Sequence, residues 1–159
     1  MEKLKILVVE DEVIIADHLA DTLMELGYDV PEPSLNYTEA IASIKEELPD
    51  IAILDIHLSG RKSGIDIAKK INEDYHFPFI FLTSNSDKAT LDEAKQVEPA
   101  AFLVKPYSKE ELFAAIEVAM FNYAKQKGKE LGSESLMIKN ALFIKQNKNF
   151  LRLDFKDIM

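Results

Sequence analysis

The sequence has no cysteine, no apolar run long enough to cross a bilayer, no internal repeat and no low-complexity tract. Without cysteine, neither a disulfide framework nor a thiolate metal site can form. Without a long apolar run there is no membrane-spanning helix, and Met1 to Lys5 lead into a strand pattern with none of the anatomy of a signal peptide. The expectation is a soluble cytoplasmic protein with no membrane partner. Positive charge is scarce over most of the chain: residues 1–123 hold 11 Lys+Arg against 24 Asp+Glu, a balance of −13. Residues 124–159 reverse this, with 8 against 4 and a balance of +4, giving −9 in all. The acidic part alone would repel nucleic acid, whereas the basic remainder suits an anionic partner.

What is present is enough for one ordinary domain and a remainder, with 47% hydrophobic residues in a chain of 159. Four short apolar runs each end on a chemically useful side chain. Ile6-Leu7-Val8-Val9 leads into Glu10-Asp11, and Ile51-Ala52-Ile53-Leu54 into Asp55. Phe79-Ile80-Phe81-Leu82 leads into Thr83, and Ala101-Phe102-Leu103-Val104 into Lys105. Short runs of this kind between polar or turn residues predict buried parallel strands. In an open α/β sheet ligands bind outside the carboxyl ends of the strands, so the pattern gathers three carboxylates, a hydroxyl and an ammonium at one edge.

Between the runs the apolar spacing is helical. Glu12 to Leu26 sets Ile15, Leu19, Leu23 and Leu26 on one face, with Gly27 as a stop. Asn36 caps a helix over about 37–47, and Pro49 follows it. A third helix is predicted from about Gly64 to Asp74, and a short fourth with a thin apolar face from Asp87 to about Val97. Ser108 and Glu111 form a capping box for a fifth, with Leu112, Ile116, Ala119, Met120 and Tyr123 at core spacing. A second strand near Tyr28 to Ser34 contains Pro31 and Pro33, which favour an edge position. Five strand–helix alternations predict a flavodoxin-like (βα)5 fold with parallel strand order 2-1-3-4-5. In that order the first and third strands flank the switch point, and they carry Glu10, Asp11 and Asp55. The domain is read as residues 1–124, followed by a linker over 125–135 that could extend the fifth helix. Two strand-like pieces over 136–159, around Asn147-Lys148-Asn149, predict a hairpin-like tail too small to be stable alone.

Three clustered carboxylates repel one another, so the site calls for a cation. A hard divalent ion such as Mg²⁺, which takes oxygen ligands from one or two carboxylates, fits. Asp55 is placed to be a nucleophile, as carboxylates can form aspartyl phosphates, with Lys105 and Thr83 as cation and hydroxyl donor to phosphoryl oxygens. Each signal alone has a plainer explanation: charge at a helix amino terminus, a loop cap, a strand end, a solvated lysine. Coincidence at four strand ends of one sheet does not.

KILVVEDE (Lys5 to Glu12), PDIAILDIHLSGRKSGIDIA (Pro49 to Ala68), FIFLTSNSD (Phe79 to Asp87) and FLVKPYSKEEL (Phe102 to Leu112) together resemble the receiver domain of two-component response regulators. The resemblance implies that Asp55 accepts a phosphoryl group from a sensor histidine kinase. It implies Mg²⁺ held by Asp11, Asp55 and the main-chain carbonyl of His57, with Glu10 acting through metal-bound water. Lys105 would pair with the acceptor, the Lys105–Pro106 bond would be cis, and Thr83 and Phe102 would form the switch. His57 and Asn85 occupy positions that tune phosphoryl lifetime in the family. The fourth helix, fifth strand and fifth helix would form the readout face and a possible homodimer contact. His18 and His76 are read as structural or surface residues. MIKNALFIKQNKNFLRLDFKDIM (Met137 to Met159) resembles the opening of a LytTR-type DNA-binding domain, whose DNA-reading part would lie beyond Met159. The expected function is therefore a phosphorylation-controlled transcriptional switch and not an enzyme. The alternatives are a stand-alone receiver acting through protein contact and an aspartyl-phosphate phosphohydrolase of the haloacid-dehalogenase type. The hydrolase would carry its nucleophile after the first strand, not the third.

Overall fold

A computed structural model describes residues 3–84 and 88–131 of the chain. These residues form β1 (Ile6–Val9), α1 (Val13–Glu25), α2 (Tyr37–Glu46), β2 (Ile51–Asp55) and α3 (Gly64–Lys70). A π-helical turn over Ile71–Tyr75 follows, then β3 (Phe79–Thr83), α4 (Lys88–Lys95), β4 (Ala101–Val104) and α5 (Lys109–Leu131). The chain divides into two units, residues 1–120 and 121–159. Of the second, only the end of α5 is described. The expected hairpin over 136–159, the linker residues 132–135, Asn85 and Asp87 lie outside the described residues. Residues 125–131 are helical, as the last turns of α5. No described helix is long and apolar enough to cross a membrane.

Among the described residues the sheet is parallel with order β1-β2-β3-β4. The segment expected as the second strand lies beside β1, where the order 2-1-3-4-5 puts it, but it is not a regular strand. Residues 28–34 do run along the free side of β1, but pair with it only at the parallel bridges Lys5–Asp29 and Val9–Ser34. Hydrogen bonds at the two ends of the segment hold it: Ile6 N–H to the Asp29 carbonyl at 2.9 Å and Glu10 N–H to the Ser34 carbonyl at 3.0 Å. Between those ends sit Pro31 and Pro33, which have no N–H to donate, so the ladder cannot continue. The element predicted as the fifth strand is thus β4.

Strand side chains alternate between the two faces of the sheet, and each face is covered by helices. Ile6, Val8, Ile51, Ile53, Ile80 and Leu82 pack with Leu19 and Leu23 of α1 and Leu112, Ile116 and Ala119 of α5. Leu7, Val9, Ala52, Leu54, Phe79 and Phe81 pack with Ala40 and Ile44 of α2, Ile67 and Ala68 of α3 and Ala94 of α4. Every side chain of β1, β2 and β3 is buried on one face or the other, which is why these strands read as unbroken apolar runs, whereas on β4 only Leu103 is fully buried. One inward assignment is corrected: Ile15 is 38% exposed, and Ala16, Leu19, Ala20 and Leu23 form the buried stripe of α1. The third helix also changes pitch after Lys70, and the His76 N–H closes the π turn on the Ile71 carbonyl at 2.7 Å.

Both predicted caps are present. Asn36 accepts from the Glu39 N–H at 2.9 Å, and Ser108 and Glu111 bond reciprocally at 3.0 and 2.8 Å. These caps satisfy amide groups that the first helical turn leaves without partners. They also fix where each helix leaves the site edge of the sheet.

Candidate functional site

Strand register assembles the site. Val9 pairs with Leu54, so the next residues, Glu10 and Asp55, lie side by side. Asp55 pairs with Leu82, and Thr83 pairs with Val104, which sets Lys105 one residue past the sheet edge. The Lys105 N–H donates to the Thr83 carbonyl at 2.8 Å, tying the two strand ends together. The Lys105–Pro106 peptide bond is cis.

The Lys105 ammonium donates to Asp55 Oδ2 at 3.1 Å and to Glu10 Oε1 at 3.4 Å. Glu10 is 1% exposed and Asp55 7%, and each uses its second oxygen to accept a backbone N–H. Glu10 Oε2 accepts from Glu12 and Asp55 Oδ1 from His57, both at 3.1 Å. Asp11 is half-buried at the rim, and its Oδ2 accepts both the N–H of Ser59, at 2.9 Å, and the Ser59 hydroxyl. One carboxylate oxygen from each of Glu10, Asp11 and Asp55 can be chosen so that all three lie within 4.8 Å of one another.

One cation for three acids leaves an electrostatic deficit, and its consequences fall unevenly. Burial and the neighbouring Asp55 push the Glu10 carboxyl up to about 7. At the rim, the Ser59 hydroxyl beside Asp11 holds its carboxyl below the ordinary range, outweighing partial burial. Burial works against the Lys105 ammonium, but the charges of Asp55 and Glu10 outweigh it and raise its pKa. Three oxygen donors short of positive charge, one of them buried and half-titrated near neutrality, suit a hard divalent cation such as Mg²⁺.

Sequence reasoning names Glu10, Asp11, Asp55 and Lys105, and the fold brings these four together. Thr83 is buried at the end of β3 on the same edge. Phe102, on β4, is partly buried with its ring 5.9 Å from that of Phe81. The His57 side chain is exposed at the loop after β2. His18 lies on α1 and His76 follows the π turn.

Three further residues near the site carry little or no signal in the sequence. Ser59 holds Asp11, and only its polarity two residues beyond His57 could have suggested that. Gly64 starts α3 so close to the end of β2 that an added Cβ would meet the Asp55 carbonyl oxygen at 2.2 Å. Its N–H donates to the Ile56 carbonyl at 2.9 Å, so the backbone beside Asp55 is braced directly by the helix start. Tyr107 is partly buried after the cis bond, and burial raises the pKa of its phenol.

Residues 6–117 match the family described as the response regulator receiver domain. The chain belongs to the response regulator receiver family. It is 33% identical over 119 residues to the transcriptional regulatory protein PdtaR of Mycobacterium tuberculosis, a match covering 75% of this chain and 58% of that protein. It thus spans less than two thirds of the curated relatives it matches. Among solved structures it resembles the receiver domain of a modulated diguanylate cyclase from Desulfovibrio desulfuricans, with 34% identity and a TM-score of 0.74, covering 79% of this chain and 99% of that one. It also resembles the receiver domain of NtrX from Brucella abortus, with 28% identity and a TM-score of 0.67, covering 72% of this chain and 97% of that one. Receiver domains are flavodoxin-like phosphoacceptor switches and not enzymes in the ordinary sense. They take phosphoryl groups from histidine kinases and bind Mg²⁺ at an acidic pocket.

Proposed function

We propose that Asp55 is the phosphoacceptor of this receiver and that Glu10, Asp11, Thr83, Phe102 and Lys105 serve its phosphorylation and readout. The observation that carries the reading is the Lys105 ammonium lying 3.1 Å from Asp55 and 3.4 Å from Glu10 at the strand ends, beside Asp11. An Asp55 carboxylate oxygen forms the new O–P bond as the N–P bond of the kinase phosphohistidine breaks. The electron pair of that bond returns to the imidazole nitrogen, which takes up a proton. Asp11, Asp55 and the His57 carbonyl would hold Mg²⁺, with Glu10 reaching it through water; when bound, the ion lessens repulsion between carboxylate and phosphoryl group. Lys105 neutralises the acceptor beforehand and the phosphoryl oxygens afterwards. Thr83 donates its hydroxyl to a phosphoryl oxygen, and Phe102 turns inward behind it. The switch moves only as far as phosphorylation favours one of the two arrangements over the other.

Acetyl phosphate with Mg²⁺ is expected to add one phosphoryl group, detected by intact-protein mass spectrometry, and Asp55→Asn to abolish the addition. Full labelling of that variant would overturn the assignment. Val104 and Val118, exposed on β4 and α5, support a homodimer through the α4–β4–α5 face. Light scattering before and after phosphorylation tests this, with an unchanged mass as the opposing result.

The output reading is a LytTR-type transcriptional regulator, supported by the sequence of Met137 to Met159 and by the basic balance of residues 124–159. The regulator expressed from its uninterrupted coding sequence is expected to retard a DNA fragment carrying its operator. A coding sequence that stops at Met159 would instead favour a stand-alone receiver.

A further inference from the structure

The loop joining β2 to α3 has few hydrogen bonds of its own. Its far end is fixed by the Gly64 N–H on the Ile56 carbonyl, at 2.9 Å, and by Ser63, which caps α3 through a reciprocal bond with Asp66. Of its amides ahead of Ser63, those of His57 and Ser59 donate to site carboxylates, His57 to Asp55 and Ser59 to Asp11. The Ser59 hydroxyl donates to the same oxygen of Asp11, so one residue supplies two donors to one acceptor atom. Gly60 follows with φ of 100°, a backbone conformation that lets the chain reverse just after Ser59.

A carboxylate oxygen offers two lone pairs, and Oδ2 of Asp11 has both engaged. The oxygen left for a cation is Oδ1. Asp11 is the most solvent-accessible of the three acids, and the Lys105 ammonium pairs with the other two, so the two Ser59 donors are the leading influence on its carboxylate. Resting on the receiver reading of the site, we propose that Ser59 is a positioning residue that fixes Asp11 with Oδ1 presented to the divalent cation. Ligand-orienting partners of this kind typically change metal affinity by tenfold or more when removed.

The test is a calorimetric Mg²⁺ titration of the full, unphosphorylated chain. Ser59→Ala is expected to weaken Mg²⁺ binding about tenfold, while the melting temperature in EDTA stays at the wild-type value. Ser59→Thr, which keeps both donors, is expected to restore wild-type affinity. In an Asp11→Asn background Ser59→Ala should cause no further loss, because its effect runs through Asp11. Wild-type or tighter binding by Ser59→Ala, in a protein whose binding Asp11→Asn still weakens, would overturn the positioning role and leave the metal site standing. Indifference of binding to Asp11→Asn would overturn both.

Discussion

The two halves of the site solve opposite problems. The inner half, Glu10, Asp55 and Lys105, is held by sheet register and largely sealed from water, so its geometry follows from strand pairing. Its weakness is electrostatic: two buried carboxylates share one ammonium, and Glu10 is pushed up to about 7. The rim half, Asp11, His57 and Ser59, has water and hydrogen bonds enough to stabilise its charge, but no strand ladder to fix it. Buried charges are therefore poised for a cation by repulsion, and exposed ones by the loop that orients them. A site built wholly in either manner would be unstable or ill-defined.

The comparison can be broken at its centre first. Asp55→Asn is expected to eliminate phosphoryl uptake, whereas Asp11→Asn should reduce its rate and restore part of it at high Mg²⁺; phosphorylation time courses separate the two. Next in size is Gly64→Ala. Its Cβ would meet the Asp55 backbone at 2.2 Å, so the strand end or the helix must move. Urea denaturation should show a loss of about 3 kcal/mol.

The electrostatic half has its own signature in pH. Glu10 titrates near 7 in the folded chain and at 4.5 when unperturbed, so between these values the folded state binds more protons than the unfolded state. Without divalent ions, stability contributed by protonated Glu10 is complete below about 4.5 and is lost as the pH rises through about 7. The loss is on the order of 2 kcal/mol once solvent screening is allowed for. Mg²⁺ should then raise the melting temperature more at pH 8 than at pH 5; an equal rise at both would contradict the buried-charge account. The smallest effect belongs to the loop anchor: Ser63→Ala should cost about 1 kcal/mol by denaturation, with Asp55 chemistry retained.

The strand runs, their polar ends and the helix caps were legible because each is local. Glu10, Asp11, Asp55 and Lys105 could be named together since parallel strands share a carboxyl edge whatever their exact register. Over 28–34, Pro31 and Pro33 mark an edge in the sequence, but only the fold shows that pairing with β1 shrinks to two bridges. Spacing defines a helical face only to within one residue and so admits Ile15, whereas the sheet beneath α1 selects Ala16 and Ala20. Gly64 gave no signal at all, as the reason for a glycine there is an oxygen nine residues earlier in the chain.

By itself, then, the sequence determined the fold class, the site edge and the four charged groups on it, because periodicity and strand-end chemistry depend on near neighbours alone. Tertiary structure decided which oxygen each group presents, which carboxylate is buried enough to titrate near neutrality, and that Ser59 holds Asp11. Those properties depend on distances between segments separated by 45 residues or more, such as Glu10 from Asp55 and Asp11 from Ser59. Local preference cannot set such distances; sheet register and loop closure do.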